Sequence, residues 1–180
     1  MLEYQRGDES AFRELYRRYR GPLHRFIHRL TGDPAVAEEI FQETWMAVVH
    51  AKERYATNAK FITYLFGIAQ RRASDYWRKR HRQSQVVVDE GHQAREDVLA
   101  VEASPDSSPH ICAEKAGFGD ALLAALDRLP APQREAFLLR AEGDFTLDEI
   151  GEITGVSRET IKSRLRYAVE RLRAAMKGWQ

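Results

Sequence analysis

Apolar residues recur three and four positions apart along most of this chain, the spacing that gathers them on one face of an α-helix. From Phe12 to Leu30 the series passes through Leu15, Tyr16, Tyr19, Leu23, Phe26 and Ile27. It predicts one long helix, or a pair broken near Gly21-Pro22, that stops at Thr31-Gly32. Asp33-Pro34 then supplies an N-cap carboxylate and a proline at the first helical position, where no N–H is needed. The next helix is expected to bury Ala37, Ile40, Phe41, Thr44, Trp45 and Val48. A polar loop at about Tyr55–Ala59 precedes a third long helix beginning near Lys60, with Phe61, Leu65, Ile68, Arg72 and Tyr76 near one stripe.

The C-terminal part is punctuated more tightly. Leu122, Leu123, Leu126 and Leu129 predict a short helix ended by Pro130, and a second starting at Pro132 buries Ala136, Phe137 and Leu139. Thr146-Leu147-Asp148-Glu149 reads as a capping box. Leu147, Ile150 and Ile153 then share one face of a two-turn helix. Gly155 permits the positive φ that ends it, Val156 plugs the turn and Ser157 caps the next helix. On that last helix Ile161, Leu165, Ala168 and Leu172 face inward. Strand alternation is absent, so the fold class is all-α.

From about Ser84 to Ala116 the helical period lapses, and SPDSSP at 104–109 repeatedly breaks regular backbone. The reading is two small helical domains, 1–82 and 117–180, joined by an extended acidic linker at 83–116. Charge supports the division. The formal net charge is only +1. Yet residues 71–82 carry six Arg/Lys against one Asp, and residues 157–173 carry six against two Glu. Residues 84–116 reverse the sign, with seven Asp/Glu against two Arg/Lys. The single cysteine, Cys112, excludes an internal disulfide framework and a multi-cysteine zinc site. No apolar run reaches the roughly 18 residues of a membrane span, and the N-terminus lacks a signal-peptide core. A soluble cytoplasmic protein without membrane insertion is expected.

The two basic blocks carry the candidate chemistry. Opposite Ile161 on the last helix lie Glu159, Ser163 and Arg166, flanked by Lys162 and Tyr167. Those are the positions a recognition helix presents to major-groove base edges, with Arg158 and Arg164 to the sides where phosphates lie. The plainer alternative is a basic, solvated surface helix. In the first block Tyr64, Phe66, Tyr76 and Trp77 alternate with Arg71, Arg72, Arg78, Lys79 and Arg80. Aromatic rings among cations suit single-stranded DNA, whose bases stack while its phosphates pair. Equally, the rings pack inward and the arginines only solvate one face.

Four segments taken in order carry a resemblance. AEEIFQETW (37–45), FITYLFGIAQRRASDYWRKR (61–80), ALDRLPAPQREAFLLR (125–140) and the helix-turn-helix resemble bacterial RNA polymerase sigma factors of the sigma-70 family. The short two-domain layout is similar to the extracytoplasmic-function group. The resemblance implies a transcription initiation factor whose first domain (region 2) docks on the β′ clamp helices of core polymerase and whose second (region 4) docks on the β flap. It implies that Glu38, Glu39, Gln42 and Glu43 meet the clamp. Promoter −10 DNA would fall to Tyr55, Asn58, Lys60, Tyr64, Arg71, Arg72, Trp77, Arg78 and Lys79, the Tyr55–Lys60 loop capturing a flipped base. The −35 duplex would fall to Arg158, Glu159, Lys162, Ser163, Arg164, Arg166 and Tyr167. The acidic linker would thread towards the polymerase active-site and RNA-exit channels. An antagonist covering both domains, an anti-sigma factor, is implied as a possible partner.

Two positions depart from the family run F-x-T-W-L-x-x-I-A-x-N. Tyr64 stands for its tryptophan and Arg71 for its asparagine. An asparagine both donates to and accepts from a base edge, whereas arginine only donates. The resemblance therefore does not carry the family's −10 preference over to this chain, whereas it does carry polymerase binding.

Smaller features add little. His24 and His28 have a metal-compatible spacing but no recognisable third ligand, and Cys112 with His110 offers at most a reactive thiol. Thr63 is a candidate phosphorylation switch beside the clamp and −10 surfaces. No nucleophile elbow or glycine-rich phosphate loop is present, so neither catalysis nor a cofactor is expected. The alternative reading is a stand-alone helix-turn-helix regulator with an N-terminal sensor or dimerisation domain.

Overall fold

The computed structural model describes residues 1–56, 59–85 and 115–179. Helix α1 (Leu2–Gln5) is a single turn, followed by α2 (Glu9–Thr31), α3 (Pro34–His50) and α4 (Phe61–Gln85). From residue 115 come α5 (Lys115–Asp127), α6 (Ala131–Gly143), α7 (Leu147–Thr154) and α8 (Arg158–Ala175). The segment 86–114, with most of the expected linker and with His110 and Cys112, lies outside the described residues. Short 3-10 turns occupy Lys52–Arg54 and Lys177–Trp179, and no strand occurs among the described residues.

The boundaries follow the sequence closely. Asp8 caps α2 through its Oδ1, which accepts from the N–H of Ser10 at 2.8 Å, and Asp33 caps α3 through the N–H of Ala35 at 2.9 Å. Gly32 ends α2 in the left-handed region at φ 70. The expected break at Gly21-Pro22 does not occur: α2 runs through Pro22. Proline removes the bond that the Arg18 carbonyl would accept. Arg18 lies on an exposed stretch where solvent can satisfy that carbonyl.

All six residues expected to be buried on α3 are buried, and they meet α2 and α4. The second half departs more. Helix α5 starts at Lys115, two residues inside the stretch read as linker. Leu123 points outward, while Ala125 joins Leu126 and Leu129 against Ala168 and Leu172 of α8. On α6, Phe137 is only half-buried, and both Leu138 and Leu139 are fully buried. Adjacent residues lie about 100° apart on a helix, so α6 must be covered on two sides. It is: α8 packs on one and α2 on the other.

That second contact unites the halves. Ala136, Leu138, Leu139, Phe145, Ile150, Ile153 and Ile161 belong to the same apolar core as Phe26, Leu65 and Phe66. Phe145 meets Phe66 edge-to-face with ring centroids 5.1 Å apart. It is held by the α6–α7 corner, where Asp144 takes a left-handed φ of 49 and Arg140 Nη1 donates to the Phe145 carbonyl at 2.6 Å.

Candidate nucleic-acid interfaces

The helix-turn-helix is built as its sequence dictates. The Thr146 hydroxyl accepts from the Glu149 N–H at 3.3 Å, and the Glu149 carboxylate accepts from the Thr146 N–H at 2.8 Å, closing the capping box. Those donors hold the Glu149 pKa below the ordinary glutamate value, led by the Thr146 backbone and then by Lys60. Phe145 and Ile150 occupy the positions flanking this cap that form a hydrophobic staple, and both are buried. Gly155 ends α7 at φ 72. Gly151 admits the chain that follows: a Cβ there would lie 2.9 Å from the Val156 carbonyl oxygen. Ser157 then caps α8 through the N–H of Thr160.

Ile161, Ala168 and Leu172 are buried and Leu165 half-buried, which turns Glu159, Lys162, Ser163, Arg166 and Tyr167 to solvent. The Arg166 guanidinium lies 4.8 Å over the Tyr167 ring and donates to its hydroxyl at 3.1 Å. Arg158 pairs with Asp148 at 3.4 Å and Glu159 at 3.7 Å, and Lys162 reaches Glu159 at 3.8 Å. Exposed pairs of this kind are worth little, so phosphates can displace them at small cost. Arg164 is less exposed than these residues. It is half-buried and lines a cleft of about 320 Å³ between the halves, with Trp77, Arg78, Arg134 and Glu135. Burial raises the Glu135 pKa, opposed by the Gln70 amide and by Arg164.

The first basic block divides. Phe66 is fully buried, so it is a core residue and cannot stack on a base. Tyr64, Tyr76 and Trp77 are half-buried. Tyr55 packs edge-on against Tyr64 at 5.2 Å, and burial, reinforced by Tyr64, raises its hydroxyl pKa. Its carbonyl accepts from Gln5 at 2.9 Å, tying the loop to the N-terminal turn. Asn58 lies outside the described residues. Lys60 is exposed yet paired across the halves with Glu149 at 2.9 Å. Arg71 and Tyr64 line a cleft of about 610 Å³ walled by Glu152, Ile153, Thr154 and Gly155. Arg78 pairs with Asp75 at 2.8 Å, and the Arg80 guanidinium lies 5.6 Å over Trp77. Lys79 and Arg72 share a polar hollow with Glu39 and Glu43. Thr63 is buried, so a phosphate there would require its packing to open.

On α3, Glu38, Glu39, Gln42 and Glu43 are all exposed on one face. Gln42 donates to Glu38 at 2.7 Å, and Arg72 pairs with Glu43. Met46, a large exposed apolar side chain, lies beside them in a shallow hollow with Ala47 and His50. The sequence reading passed over Met46, although its place one turn beyond Gln42 and Glu43 puts it on that face. It also passed over Arg134 and Glu142, whose partners come from the other half of the chain.

Residues 15–83 match the family description "Sigma-70 region 2", and residues 125–174 match "Sigma-70, region 4". The RNA polymerase sigma factor CarQ of Myxococcus xanthus is 31% identical over 176 residues, covering 96% of this chain and 93% of the relative. The ECF RNA polymerase sigma factor RpoE of Cereibacter sphaeroides is 33% identical over 177 residues, covering 94% and 88%. Among solved structures, the sigma factor RpoE in complex with the anti-sigma factor NepR from Bartonella quintana superposes with a TM-score of 0.69. Its identity is 25%, and the match covers 93% of this chain and 97% of that one. The chain belongs to the sigma-70 family of RNA polymerase sigma factors, in its extracytoplasmic-function group.

Proposed function

We propose that this chain is a dissociable transcription initiation factor that binds core RNA polymerase and directs it to specific promoters. Its second half reads the −35 duplex through α8, and its first half opens and holds the −10 element through the loop after α3 and the basic part of α4. The observation that carries this reading is the outward face of Glu159, Lys162, Ser163, Arg166 and Tyr167 on a fully capped helix-turn-helix, within a chain that also carries region 2. A stand-alone regulator has no need of region 2.

The acidic face of α3 is the surface offered to the clamp helices of β′, and the second half docks on the β flap. Met46 supplies an apolar centre among those carboxylates, the arrangement of a small interface core with a charged rim. Arg71 and Tyr64 face unpaired −10 bases once their cleft opens. The factor supplies binding energy and no bond-making residue; the polymerase does the chemistry. It acts in the cytoplasm, where polymerase and DNA are. An anti-sigma factor, such as the one bound to the Bartonella relative, is a fitting antagonist.

Capture of purified bacterial core polymerase tests the reading. Wild type should retain the enzyme, and reversing Glu38, Glu39 and Glu43 to lysine should weaken retention strongly. Tight duplex binding without polymerase binding would favour the regulator.

A further inference from the structure

The segment joining α3 to α4 is held at its two ends by different parts of the chain. Its far end runs into α4, where the Lys60 carbonyl accepts from the Tyr64 N–H at 3.1 Å. At its near end Gln5 Nε2, 50 residues away in sequence, donates to the Tyr55 carbonyl at 2.9 Å in a partly buried contact. The Tyr55 ring meets Tyr64 at 5.2 Å and Phe61 at 6.3 Å. Tyr55 is therefore gripped through its backbone by α1 and through its side chain by α4.

Although α1 is a single turn, it is anchored in the core. Tyr4 is buried, its ring 5.0 Å from that of Phe12 on α2, and Phe12 meets Trp45 of α3 edge-on at 5.8 Å. Lys52 Nζ lies 4.5 Å over the Tyr4 ring, so the 3-10 turn before Tyr55 is tied to the same anchor. A cation over a ring and one neutral hydrogen bond are each weak. Here both act on the short stretch 52–55, which concentrates their effect.

The consequence falls on the backbone beyond Tyr55. A peptide unit is planar, so fixing the Tyr55 carbonyl also fixes the direction of the Ala56 N–H and Cα. Ala56 and Ala59 line the same cleft of about 610 Å³ as Tyr64 and Arg71. A segment that closes around an extruded base loses conformational freedom as it does so. Whatever ordering is already present in the free protein need not be supplied by the base.

We infer that Gln5 is a positioning residue for base capture: through the Tyr55 carbonyl it sets the entry of the segment that takes the flipped −10 base, and with it the selectivity among bases there. The inference rests on the promoter-directing reading and deepens it. Gln5 acts through Tyr55 and not by contact with DNA.

The test uses the full chain assembled with purified bacterial core polymerase. Run-off transcription with wild type first maps a start site that depends on the protein. The probes are single-stranded oligonucleotides carrying the non-template −10 sequence of that site, with each position in turn changed to every other base. Gln5→Met keeps the length of the side chain and loses the donor, whereas Gln5→Lys restores a donor at similar reach. Amide hydrogen exchange over residues 52–55 of the full chain reads the brace itself.

In Gln5→Met, selectivity at one −10 position should fall about fivefold, the worth of one ordinary hydrogen bond, and exchange over 52–55 should quicken by a similar factor. Selectivity at the other positions, retention on polymerase and −35 duplex binding should stay within about twofold, as for independent sites. Gln5→Lys should return both readouts towards wild type. A merely structural role would weaken binding at every position alike, and that result overturns the inference. So does unchanged selectivity, or a Gln5→Lys variant that behaves as Gln5→Met does. Failure of the promoter reading is distinguishable: wild type would then give no start site, which removes the inference with it, whereas failure of the inference alone occurs with wild-type start sites present.

Discussion

Arg72 on α4 is ion-paired with Glu43 on α3, so a candidate DNA-binding cation and a candidate polymerase-binding carboxylate hold each other in the unbound protein. Their side chains are 34% and 48% exposed. The two surfaces are thus one continuous hollow, shared with Glu39 and Lys79. Whatever engages Glu43 changes what Arg72 can reach.

A double-mutant cycle measures that link. Glu43→Gln, Arg72→Gln and the double variant, compared by urea denaturation, should show a coupling of about 0.2–1 kcal/mol, the range of partly exposed pairs. A coupling indistinguishable from zero would mean the pair is incidental.

Replacing Arg166 by alanine removes an exposed guanidinium from the candidate recognition face. Binding to the cognate −35 duplex should fall about 10- to 100-fold, the equivalent of roughly 1–3 kcal/mol for one base-directed contact. Retention on core polymerase should be unchanged. Fluorescence anisotropy with duplex DNA and a polymerase capture assay separate the two effects.

The turn of the helix-turn-helix passes close over Gly151 of α7. Gly151→Ala sets a methyl group 2.9 Å from a backbone carbonyl that cannot swing away. The loss expected from such overpacking is about 1–3 kcal/mol. A lowered thermal midpoint together with weakened duplex binding would show that the turn itself is disturbed.

The capping box predicts a pH dependence. The Glu149 pKa is held below its ordinary value of 4.5, first by the Thr146 N–H and next by Lys60. A carboxyl whose folded pKa is depressed contributes stability that is complete above its unfolded pKa and is lost as pH falls through the folded one. Stability should therefore decline on acidification below about pH 4.5, and Glu149→Gln should make that decline shallower. Denaturation midpoints across an acidic pH series provide the comparison.

Most of the local structure could be read from the sequence because its causes are local. Asp33-Pro34, the Thr146–Glu149 box, Gly155 and Ser157 act within one turn of where they stand, and each does what its chemistry requires. The misreadings concern surfaces that meet across the linker. Nothing nearby in sequence reveals that α6 lies between α2 and α8, which buries Leu138, or that Phe66 packs between Phe26 and Phe145. The cleft that half-buries Arg164 is likewise made by residues distant in sequence. Pro22 misled differently: proline forbids one hydrogen bond, and an exposed helix tolerates that loss. On the outward face of α8, whose ion pairs and Arg166–Tyr167 hydrogen bond stay within α7 and α8, the period alone placed Glu159, Ser163 and Arg166 at the surface.

The most direct test of the account is run-off transcription by purified bacterial core polymerase on promoter-containing genomic fragments, with and without this protein. New start sites that require it, each preceded by a −35 and −10 pair at fixed spacing and lost with Arg166→Ala, are the predicted result. No protein-dependent start site from an active polymerase preparation, with binding instead to palindromic duplex sites, would contradict the account.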